Sequence, residues 1–201
     1  MQSMRALIVA IVFLAALLPL SVQAETLDSA QFQSYTIVMV PVKGNFGLCL
    51  AGQMFKLPSA KVESWYYYAG PSWTSEDQSL CLMPMFGQVT NRGLKEQDAA
   101  IYSLWGVWQP SDQFKVLGQG DLYTYDDEKE YLGWLTSDYF LTKEVSCGFH
   151  IERNVSDLYT DTTIGPHLGV TKGPCRLELQ WHGSTEGKTH AVRLYTELLF
   201  F

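Results

Sequence analysis

The signatures of the common catalytic sites are missing from these 201 residues. There is no G-x-S-x-G elbow, no H-E-x-x-H, no P-loop and no G-x-G-x-x-G. Converging carboxylates could still serve as acid and base, but their separation is not legible in a sequence. Cationic side chains are also scarce: 14 Lys and Arg stand against 21 Asp and Glu, a net charge of −7. Nucleic acids and anionic membrane surfaces are held by neutralising Lys and Arg, so this balance disfavours both as partners. A neutral ligand or a basic protein partner is compatible with it. Cysteine is limited to four residues, Cys49, Cys81, Cys147 and Cys175, and no C-x-x-C occurs, which excludes a zinc framework.

Long apolar runs are lacking as well, with one exception. Ala6–Leu20 is apolar throughout, follows the single charge of Arg5, and leads into Ser21-Val22-Gln23-Ala24. Fifteen residues are too few for a comfortable transmembrane helix, and small residues at its end suit a signal peptidase. The reading is a signal peptide over 1–24 and a single domain over 25–201, secreted or periplasmic, with no membrane span once the leader is removed. No Pro/Ser linker or charge block divides that domain, and no internal repeat aligns.

In an oxidising compartment an even cysteine count points to disulfides. Three pairings are open. Cys49–Cys81 and Cys147–Cys175 close the shortest loops and are expected here, each bridge contributing about 2–4 kcal/mol.

What the chain does have is strand signal. Charged residues are 17% and aromatics 13% of the chain, which rules out disorder and coiled coil. Apolar or alternating runs recur at 35–42, 48–57, 62–69, 79–89, 101–108, 114–125, 131–141 and 144–151. Breaks between them carry Gly44-Asn45, Pro58, Gly70-Pro71, Asn91-Arg92-Gly93, Pro110-Ser111-Asp112 and Gly165-Pro166. Only 93–100 offers a helical turn or two. The pattern predicts an all-β domain, an antiparallel β-sandwich or closed β-barrel with two disulfides.

The last hairpin can be read residue by residue. From Arg176 to His182 odd positions are apolar and even ones polar, and the partner strand is 189–200. One register sets Leu177 opposite Leu194, Leu179 opposite Val192 and Glu178 opposite Arg193. In it Leu177 and Leu179 face the core and His182 faces out with Glu178. His190 shares the Trp181 face, so the two histidines diverge and no metal site forms from them. The terminal Tyr195–Phe201 segment also invites an outer-membrane barrel. Glu197 and Arg193 on the face of Tyr195, and strands apolar on both sides, favour a soluble domain instead.

Trp65-Tyr66-Tyr67-Tyr68 and nearby Trp73 form the candidate ligand site. In a strand these rings alternate between two faces, and flat rings beside acids and amides suit a sugar. The acid-rich 121–130 stretch, with Asp121, Asp126, Asp127 and Glu128, could hold calcium, though the EF-hand spacing is absent. Asn154-Val155-Ser156 fits a glycosylation sequon. The function expected is an exported, non-enzymatic protein that engages a glycan or other neutral ligand through exposed aromatics. The alternatives are a protein-interaction module such as an inhibitor or toxin-neutralising partner, and a small carboxylate-dependent hydrolase.

Overall fold

A computed structural model of the protein describes residues 30–57, 62–92, 97–125, 128–156, 160–185 and 190–200. The expected signal peptide, Asp126 and Asp127 lie outside the described residues. Eleven strands follow one another: β1 (Ala30–Lys43), β2 (Phe46–Leu57), β3 (Val62–Thr74), β4 (Leu80–Arg92), β5 (Gln97–Ser111), β6 (Phe114–Thr124), β7 (Lys129–Phe140), β8 (Val145–Ser156), β9 (Thr160–Lys172), β10 (Cys175–Ser184) and β11 (His190–Phe200). Among the described residues there is no helix, and the segment from Gln97, expected to turn helically, opens β5.

Each strand pairs antiparallel with the next, and β1 closes on β11 to complete a barrel. Eleven is odd, so the closing pair must run parallel, and it does, from Ala30↔Val192 to Val38↔Phe200. In consequence β1 begins at one rim and β11 ends at the other. Closure leaves no unpaired strand edge. Of the two architectures the sequence suggested, the barrel is present and the sandwich is not.

Two-residue turns at Gly44-Asn45 and Gly173-Pro174 join β1 to β2 and β9 to β10, with Gly44 and Gly173 at φ +56° and +58°. A side chain there would be strained, which is why both turns carry glycine. The β3–β4 turn is held by Asp77, whose Oδ1 accepts from the Ser75 hydroxyl at 2.6 Å and the Ser79 amide at 3.1 Å. The Ser75 bond, above all, keeps this carboxyl below its ordinary range.

Prolines mark where ladders lapse. The β3–β4 register has no pairs between Ala69↔Phe86 and Trp73↔Leu82, where Pro71 and Pro84 come opposite each other. The β9–β10 register skips from Gln180↔His167 to Gly183↔Ile164, across Gly165 and Pro166. Gly165-Pro166, expected to break the chain, therefore lies inside β9. A missing N–H removes ladder bonds without ending the strand.

The expected disulfides are not formed, and all four cysteines are free. Cys49 pairs with Gly70 on β3, and Cys81 with Thr74 on the same strand. Cys147 and Cys175 likewise both pair with β9, at Leu168 and Lys172. Each expected bridge would thus have to cross an intervening strand. Two strand spacings are about 9.6 Å, beyond the roughly 7 Å Cα separation that a disulfide tolerates.

Candidate functional site

The alternation of side chains is inside-out relative to a soluble domain. On β10, Arg176, Glu178, Gln180 and His182 point inward and are buried, while Leu177 and Leu179 point outward and are half exposed. The hairpin register differs accordingly from the expected one: Leu177 faces Thr196, Glu178 faces Tyr195, Leu179 faces Leu194 and Gln180 faces Arg193. This is a two-residue shift, which preserves which side chains share a face but breaks the Glu178–Arg193 pair. The apolar face was expected to be the core. It is the outer surface.

The same holds around the barrel. Outward positions carry Leu48 and Leu50 on β2, Leu104 and Trp108 on β5, Leu135 on β7, Phe149 and Ile151 on β8, all exposed. Glu197 and Arg193, which weighed against a membrane barrel, are inward and buried.

The lumen has two unlike halves. Inward residues of β1 to β6 are largely aromatic and apolar, with Trp105 at their centre. Its ring meets Tyr35 at 5.8 Å and Tyr68 at 5.3 Å, both edge-on. Among the described residues, one buried carboxylate sits in this half. Asp121 accepts from the Gln119 amide at 2.6 Å, the Tyr123 hydroxyl at 2.7 Å, the Ser103 hydroxyl, and Tyr68 at 3.4 Å. Asp121 is therefore a buried wall residue, remote in role from the turn at which calcium was considered.

The other half, from β7 to β11, is charged. Arg176 Nε donates to Glu178 Oε2 at 2.9 Å, and its NH2 group reaches Asp138 Oδ1 and Glu178 Oε2 at 2.5 Å each. Gln180 Nε2 donates to Glu178 Oε1 at 2.7 Å, and Gln180 Oε1 lies 2.9 Å from His182 Nε2. His167 Nε2 lies 2.9 Å from Asp138 Oδ1. Residues spaced by two on one strand share a face, so the sequence R-L-E-L-Q-W-H becomes a hydrogen-bonded ladder along the lumen. A second cluster lies beside it. Arg193 clasps Glu152 with NH1 at 2.8 Å and holds Gln31 with Nε at 2.9 Å. His150 packs against His182, ring centroids 4.6 Å apart.

Room for these side chains comes from glycine on neighbouring strands. A Cβ on Gly148 would strike the Ser137 carbonyl and come within 2.8 Å of the His167 ring. One on Gly169 would lie 3.2 Å from the Arg176 guanidinium.

Among the described residues the two halves meet across the lumen, Tyr35 against Trp134 at 6.4 Å. A cavity of about 10 Å³ remains between Tyr35, Trp134, Asp138, Arg176, Arg193 and Tyr195, near the threshold for one water molecule. Eleven strands stand between the eight that side chains just fill and the sixteen or more that leave a wide aqueous channel.

Neither the family models nor the curated proteins contain a match to this chain. A solved structure does. The barrel is similar to one described as "KdgM porin", with a TM-score of 0.51 over 79% of this chain and 86% of that one. Identity is 14%, so the likeness is one of fold. An apolar exterior, with the charged residues buried inside a closed barrel of this fold, overturns the expectation of a secreted or soluble periplasmic protein that binds a ligand on an outer aromatic platform.

The aromatic run shows why. Tyr66 and Tyr68 are buried in the lumen, whereas Trp65 and Tyr67 are exposed on the outer wall. Trp73 is partly buried on the outward face near the other end of β3. The five rings make no common surface. Glu128 lies in the connection between β6 and β7. His182 and His190 diverge, His182 into the lumen and His190 stacked on Trp181 at 5.3 Å. Sequence reasoning gave no role to His150 and His167, two of the four histidines of the last third, and missed Asp138 and Glu152. The signal available was the row of polar residues at alternate positions of 176–182, which an aqueous surface explained equally well.

Proposed function

We propose that this protein is an integral β-barrel of an outer membrane, and that its lumen passes small polar solutes under the control of the Arg176–Glu178–Asp138 network. The observation that carries the reading is the inverted polarity. A soluble monomer does not expose apolar side chains around its whole girth, whereas a membrane barrel alternates apolar-out and polar-in on every strand. Strands of 10 to 15 residues are long enough, since about 9–11 tilted residues cross the hydrocarbon layer. Closure leaves no open sheet edge to face lipid, as a membrane requires. The expectation of no span after leader removal rested on the shortness of the apolar run and on Glu197 and Arg193, both of which are buried inside the barrel. No described helix is long and apolar enough to cross a membrane, but a barrel crosses with strands.

Passage is supported by the likeness to a porin and by the charged half of the lumen. The narrow cavity limits solutes to ions and small polar molecules unless side chains move. The test is conductance in a planar lipid bilayer. The wild-type barrel is expected to give small discrete current steps, and Glu178→Ala and Arg176→Ala larger ones, because each shortens a side chain in the constriction. A barrel that inserts and stays silent in all three forms would refute passage and leave the membrane placement standing. A chain that folds in water without detergent or lipid would refute both.

A further inference from the structure

We infer that the lumen holds a site for a borderline divalent transition metal, built by His150 and Glu152 of β8 and His182 of β10. Three observations converge. First, each of these residues offers a ligand atom, and the three atoms lie within 4.8 Å of one another. Two imidazoles and a carboxylate are a donor set for zinc, cobalt, nickel or copper rather than for calcium or magnesium.

Second, the rings are pre-oriented by hydroxyls on the flanking strands. Thr136 Oγ1 of β7 lies 2.9 Å from His150 Nδ1, and Thr163 Oγ1 of β9 lies 3.2 Å from His182 Nδ1. In metal sites an outer partner on one ring nitrogen fixes the tautomer that offers the other to the ion. Third, His150 Nε2 is buried and has no hydrogen-bond partner, with Glu152 Oε2 3.5 Å away. A buried polar atom left unpaired is costly, and here it points into the cluster.

Around an ion with bonds of about 2.1 Å, tetrahedral donors sit about 3.4 Å apart. Ring rotations on the ångström scale therefore close the site. His182 Nε2, which donates to Gln180 Oε1 at 2.9 Å, must give up that proton, the ring taking the tautomer protonated at Nδ1 with Thr163 Oγ1 as acceptor, before it can bind the ion. Arg193 is the competitor, since it clasps Glu152 in the metal-free arrangement. Its second anchor on Gln31 gives it somewhere to stay when the carboxylate turns away. The neighbouring cluster of Asp138, His167 and Glu178 has similar spacing, but Arg176 bonds both of its carboxylates at 2.5 Å. That place is already held by a cation.

The site does not depend on whether the lumen conducts. The test is titration of the detergent-folded barrel with Co²⁺ alone, followed by visible d–d absorption, with Zn²⁺ competition by calorimetry. One equivalent is expected to bind, at least tenfold more weakly in His150→Gln, His182→Gln and Glu152→Gln. His190→Gln should bind as the wild type does, and Arg193→Gln more tightly. Heat-modifiable migration on a gel reports whether each variant is folded. Copper EPR of the wild type needs no variant, and should show hyperfine structure from two nitrogens. Oxygen-only ligation, absence of binding at millimolar cobalt, or affinity indifferent to the three lumen substitutions would each overturn the site.

Discussion

Replacing Leu179 by arginine separates a lipid-facing wall from a water-facing one. Leu179 lies near the middle of β10, points outward, is 48% exposed, and has Leu168 and Leu194 beside it on the adjoining strands. On an aqueous surface such a change stays within about 0.5 kcal/mol, because arginine is as well solvated folded as unfolded. In hydrocarbon the guanidinium must be desolvated or must draw water down, which costs about 2–4 kcal/mol at the bilayer midplane. That is a factor of about 30 to 1,000 in the ratio of folded to unfolded protein. Depth supplies an internal control. Val42, in the irregular end of β1 beside the turn, is 72% exposed near a rim, where arginine costs about 0–1 kcal/mol. The measurement is equilibrium unfolding in urea from lipid vesicles for wild type, Leu179→Arg and Val42→Arg. A penalty confined to Leu179→Arg is expected. Equal, near-zero effects at both positions would refute the lipid-facing assignment of the outer wall.

Three further outcomes follow from the same geometry. Glu178→Ala should lower stability in detergent by about 3–5 kcal/mol, because it strips a carboxylate from buried Arg176; a loss under 1 kcal/mol would mean the network is not structural. The non-reduced protein, unfolded in denaturant, should titrate four free thiols, and a Cys49–Cys81 peptide on mapping would contradict the strand order. Gly165→Ala should cost about 1–3 kcal/mol, since its Cβ collides with the Trp181 carbonyl, while Gly120→Ala, with nothing within 4 Å, should be neutral; equal effects would place the β9–β10 gap elsewhere.

Much of the strand content was legible because alternation and turn chemistry are local. Tyr35–Val42, the Gly44-Asn45 turn and the run from Leu48 are visible as a hairpin, and they form one. β9 was not legible, since Gly165-Pro166 carries the marks of a break. Only its neighbours show that the ladder resumes at Ile164↔Gly183. The disulfide pairing failed for a related reason. Loop length ranks pairings by entropy, but an up-and-down sheet puts Cys49 and Cys81 on either side of β3.

The sequence by itself determined which side chains lie together on a face: Arg176 with Glu178, Gln180 and His182, and Leu177 with Leu179. Period-two geometry guarantees that much for any strand. It does not say which face is inside. That was decided by closure, when eleven strands curled with Arg176 toward Asp138 and His150 toward His182 across β9. A polar row beside an apolar row is equally consistent with a core packed against water and with a lumen enclosed within lipid. Only contacts between residues far apart in the chain distinguish the two, because only they determine where the polar row finds its partners.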